Sequence, residues 1–64
     1  MKREEAIAAL LDCESIWPSG FEARMQFISM LQHEGYTSDQ AIVICSEALA
    51  DPLYKAMKDK RKKV

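Results

Sequence analysis

Three sets of helix stop and start signals, at Trp17 to Gly20, Gly35 to Thr37 and Asp51 to Pro52, cut this 64-residue chain into short segments. Pro18 pushes Trp17 out of the helical region, which ends a first helix there. Ser19 opens a capping box with Glu22, in which each side chain reaches the other residue's backbone N–H. Gly35 is a natural left-handed stop for a second helix. Thr37 and Gln40 form a second capping box, and Asp39 in the first turn complements the helix dipole. Asp51 followed by Pro52 is an N-cap with proline at the first helical position. The connections are too short for anything but neighbouring helices packed as hairpins or an orthogonal bundle. No segment alternates with period two long enough to make a strand. The expected fold is all-α, a small bundle of three to four short helices.

Apolar periodicity fills in the faces. From Lys2 to Ile16, the residues Ala6, Ile7, Leu10, Cys13 and Trp17 recur at helical spacing, with Leu11 and Ile16 widening the stripe. In the second segment Phe21, Ile28 and Leu31 form the main face and Phe27 and Ala23 flank it. That breadth makes the second helix the expected centre of the bundle. Ala41, Ile42, Cys45, Ala48 and Leu49 supply the third stripe, extended by Ile44, while Val43 falls on the polar side. Leu53, Ala56 and Met57 can dock a fourth helix. Beyond Met57 no apolar residue occurs until Val64, so residues 1–57 are read as the single helical domain and 58–64 as a frayed basic tail.

A domain of this size buries only about 60% of its unfolded surface, so its stability as a monomer is marginal. At 48% apolar and 30% charged, the chain is globular rather than disordered. Cys13 and Cys45 sit inside apolar helical patterns and are expected to be reduced core residues. With no C-x-x-C pair and His33 as the lone histidine, zinc is not expected. Neither a leader-like apolar core nor a run of about 20 apolar residues follows Met1, so the expectation is a soluble cytoplasmic protein with no membrane partner.

Charge is distributed unevenly. Residues 55–64 hold six Lys and Arg against one acid, Asp59, a balance of +5, while residues 1–54 sum to −6. This points to binding rather than catalysis. The only nucleophile and base candidates are Cys13 or Cys45 with His33, which fall on apolar and polar faces respectively, and no glycine-rich phosphate loop exists. The chain is therefore read as no enzyme, needing no cofactor. A helix-turn-helix over Phe27 to Glu47 has suitable spacing. Its reading helix would offer Asp39, Gln40, Val43, Ser46 and Glu47, which phosphate would repel. Nucleic acid is left with the tail cations Lys58, Lys60, Arg61, Lys62 and Lys63, which can bind only electrostatically and without sequence preference.

Protein association has the stronger support. Five large aromatics and four methionines are many for so small a core. Trp17, Phe21, Val43 and Tyr54 are the candidate partner-binding residues. Wide apolar faces on the first two helices suggest completion of the bundle by homodimerisation.

Two resemblances bear on this. The run Glu34-Gly35-Tyr36-Thr37-Ser38-Asp39-Gln40-Ala41-Ile42, continuing to Ala48-Leu49, resembles ubiquitin-associated domains. In those domains a helix ends in a Met-Gly-Phe/Tyr loop and the next begins with a Gln-Ala pattern. The match covers about a quarter of the chain. Glu34 replaces the Met, and the third-helix pattern does not follow Leu49, so no ubiquitin-binding role is carried over. In length, in its opening Met1-Lys2-Arg3-Glu4-Glu5-Ala6, in its single helical domain and in its lysine tail, the whole chain resembles the small accessory proteins of lambdoid phage early regions. That resemblance implies an intracellular, non-enzymatic protein that binds host or phage components, and it transfers no site residue. The expected function is thus a small regulatory or accessory protein with itself and an unidentified protein as partners, nucleic acid standing second.

Overall fold

A computed structural model describes residues 1–62. Four helices follow one another: α1 (Arg3–Ile16), α2 (Gly20–His33), α3 (Ser38–Ala50) and α4 (Pro52–Lys62). Among the described residues there is no strand.

Local chemistry sets the boundaries. At the end of α2, Gly35 takes φ +107°. Its N–H donates to the Gln32 carbonyl and the Tyr36 N–H donates to the Leu31 carbonyl, each at 3.1 Å. This paired pattern is a Schellman motif, which glycine closes without steric strain. Helix α3 starts with the reciprocal box: the Thr37 N–H donates to Gln40 Oε1 at 3.0 Å and the Gln40 N–H to Thr37 Oγ1 at 3.1 Å. Asp51 caps α4 by accepting from the Leu53 N–H at 2.9 Å. The same carboxylate forms a two-pronged ion pair with the Arg3 guanidinium, tying the start of α1 to the start of α4. Ser19 departs from expectation. It has the extended backbone of an N-cap, and its carbonyl accepts from the Ala23 N–H, but its side chain makes no capping bond. The backbone turn through Pro18 is enough to start α2 there.

Helices α1 and α3 are the centre of the bundle, each touching the other three, whereas α2 and α4 do not meet. The sequence expectation gave that place to α2. The core consists of Ala6, Ile7, Leu10, Leu11, Ala23, Phe27, Leu31, Ala41, Cys45 and Ala48. Phe27, Ile7, Leu10 and Leu31 are the large, fully enclosed members, and alanines on α1, α2 and α3 let the helix axes come close. No polar side chain is buried in this core.

Several apolar residues face outward instead. On α2 the buried stripe is Ala23, Phe27 and Leu31, so Phe27 is central and Phe21 is 65% exposed. Phe21 lies about 120° around the helix from Phe27, too far to share its side. Ile16 and Ile42, both expected in the stripes, are exposed for the same angular reason, as is Ala56 on α4. Cys45 is buried, but Cys13 is only half-buried. Helix α4 does not stop at Met57. It continues through Lys62, and Arg61 Nη1 lies 2.8 Å from Asp12 Oδ1. Lys and Arg are good helix formers, and cations in a last turn suit the helix dipole. Lys63, Val64 and the side chain of Lys62 lie outside the described residues, so the basic tail is placed only in part. The extents of 35 × 22 × 16 Å make a thin body in which every helix keeps a solvent face.

Candidate interaction surfaces

Apart from Met1 and Ala56, the large outward apolar residues fall into two places. The first is the turn between α1 and α2. Ile16 at the end of α1 is 73% exposed, Trp17 36%, Phe21 65% and Met25 51%. Trp17 leaves the helix in an extended conformation, its N–H donating to the Cys13 carbonyl. Phe21 and Met25 are one turn apart on α2 and so lie on one side of it. Two of the residues singled out from the sequence, Trp17 and Phe21, are thus both exposed at this turn. Ile16 and Met25 are exposed beside them in the chain and were missed, because spacing assigned Ile16 to the core and gave Met25 no role.

The second place is α3. Val43 is 53% exposed and Ile42 48%. Val43 lines an open groove of about 340 Å³ with Tyr36, Asp39, Gln40 and Ile44. Ile44 also lines a second hollow of about 510 Å³, shared with Ala6, Ala48 and the paired Arg3 and Asp51. The floor of this surface is apolar, and Asp39 and Glu47, one turn either side of Val43, give it a negative rim.

Tyr54 belongs to neither place. It is half-buried in the seam between α1 and α4, where its hydroxyl donates to both Glu14 carboxylate oxygens at 2.7 and 2.6 Å. Burial, reinforced by that acceptor, pushes the phenol up to about 12. Lys58 Nζ stands 5.5 Å from the centre of the Tyr54 ring, a cation–π arrangement. Of the tail cations, Arg61 therefore answers Asp12 and Lys58 covers Tyr54, while Lys60 is exposed. Lys63 is among the candidates outside the described residues.

Other chemistry is sparse. Both cysteines are free, and burial raises each thiol above its ordinary value. His33 is exposed in the last turn of α2. Among the described residues no three His, Cys, Asp or Glu side chains gather as a metal site, and no helix is long and apolar enough to cross a membrane.

The fold defines a small all-α four-helix bundle with two exposed apolar surfaces. No family model, curated protein or solved structure matches the chain.

Proposed function

We propose that this chain is a non-enzymatic regulatory or accessory protein that acts in the cytoplasm by protein–protein contact. It pairs with itself and engages a second protein, in the manner of phage- or prophage-type modulators of host components. One observation carries the reading. Seven large apolar side chains, Met1 at the chain start and Ile16, Trp17, Phe21, Met25, Ile42 and Val43 on the body, are exposed by a third or more, against ten buried hydrophobic residues among the described residues. Single exposed apolar residues are ordinary, but clusters of this extent on a small body mark contact surfaces. The α3 groove, apolar below and acidic at its rim, suits a partner segment with an apolar anchor flanked by basic residues.

The test is binding by the intact protein. Wild type and Val43→Glu, matched for helical content and melting temperature, are compared for capture of a protein from lysate. Recovery of one partner by wild type, lost with Val43→Glu, supports the reading; equal recovery by both rejects this surface.

Helix α4 supports the competing reading, non-specific nucleic-acid binding, because it presents Lys55, Lys58 and Lys60 to solvent. Binding of this kind weakens steeply with salt, with a log–log slope near −0.9 per phosphate neutralised. Absence of a gel shift at low salt removes it.

A further inference from the structure

We infer that a second copy of this chain docks at the turn between α1 and α2, with Ile16, Trp17, Phe21 and Met25 as the contact. The inference rests on the protein-contact reading and assigns self-pairing to one of the two surfaces.

Area is the first argument. From their fractional exposures, the four side chains offer about 500 Å² of accessible surface per copy. A standard interface buries about 800 Å² per partner, and homodimer interfaces are about 65% apolar, so a stable dimer asks for about the same apolar area.

Charge is the second argument, and it separates the two surfaces. From Ser15 to Phe21 the chain carries no charge at all, in a sequence that is 30% charged. Of the nearest ionic groups, Asp12 pairs with Arg61, and Glu14 accepts from the Tyr54 hydroxyl while keeping its charge. Glu22 and Arg24, just beyond Phe21, are of opposite sign. The charges around the turn therefore sum to a single negative one per copy, that of Glu14, so a second copy meets less repulsion there than at the two acids beside Val43. Pairing through Val43 would instead set Asp39 and Glu47 of one copy against the same acids of the other, which is unfavourable. The uncharged turn is therefore the self-complementary surface, and the acidic groove stays open for a different protein.

Trp17 is the chain's single tryptophan, so it reports on this contact alone. Across a dilution series of the intact protein, its emission should move to shorter wavelength as concentration rises, with the same midpoint as the doubling of sedimenting mass. Phe21→Glu should weaken pairing at least ~30-fold, the loss typical of a central aromatic anchor, and should abolish both changes while leaving the circular dichroism intact. Met25→Lys serves as a second variant should the first lose its fold, with the same expected result. Val43→Glu should keep both changes. Mass doubling that persists in Phe21→Glu and Met25→Lys but fails in Val43→Glu would place pairing on α3 and overturn the inference, with the protein-contact reading intact. A wild type that never doubles also overturns it, and the capture comparison through Val43 then decides the broader reading separately.

Discussion

Phe21 and Phe27 lie on one helix and meet opposite surroundings, so they separate packing from contact at the scale of single side chains. Phe27 is fully enclosed, and Phe27→Ala should destabilise by about 3–5 kcal/mol. Phe21 is 65% exposed, and Phe21→Ser in the monomer should shift stability by no more than ~0.5 kcal/mol. Urea denaturation of both variants at low concentration checks the contrast; similar losses would contradict it. Tyr54 gives a second prediction at this scale. Its phenol is raised from the usual 10 to about 12, so the contribution it makes is whole below pH 10 and is lost as pH rises through 12. Tyr54→Phe should remove the tyrosine ionisation near pH 12 from an ultraviolet titration. Little in the local sequence warns of either fate. A rotation of a third of a turn decides whether Phe21 or Phe27 is enclosed, and apolar spacing on so broad a face does not resolve it. The Tyr54–Glu14 bond joins residues 40 apart in the chain and depends on how α4 crosses α1.

Among the elements, starts and stops were legible because they depend on residues within a turn of one another. Gly35, Thr37 with Gln40, and Asp51 with Pro52 each act as their local chemistry dictates. What local chemistry leaves open is which helices lie in the middle, and that place falls to α1 and α3, each of which meets the other three, rather than to α2. Gly35→Ala should cost about 1 kcal/mol from its positive φ, since nothing crowds the added methyl group, and Thr37→Ala about 1 kcal/mol from the lost cap. Thermal melts of each variant measure both. Asp51 adds a pH dependence. Arg3 first, and then the Leu53 N–H, hold its carboxyl near 2 against an ordinary 3.8. A depressed carboxylate contributes fully above its unfolded value and loses that contribution as pH falls through the folded one. Wild type should therefore lose stability between pH 4 and 2 by more than Asp51→Asn does. Parallel acid titrations followed by circular dichroism would contradict the cap and ion pair if their slopes matched.

At the scale of the whole molecule, ten buried hydrophobic residues among the described residues form the core, while two apolar surfaces remain uncovered on a body 16 Å thin. The proposed pairing, which buries one of them against a second copy, would relieve the shortage of core in so short a chain. Sedimentation of the wild-type protein across a concentration series tests this most directly. The account predicts a species of twice 7.3 kDa in the micromolar range. A single 7.3 kDa species persisting to the highest concentration reached would contradict it.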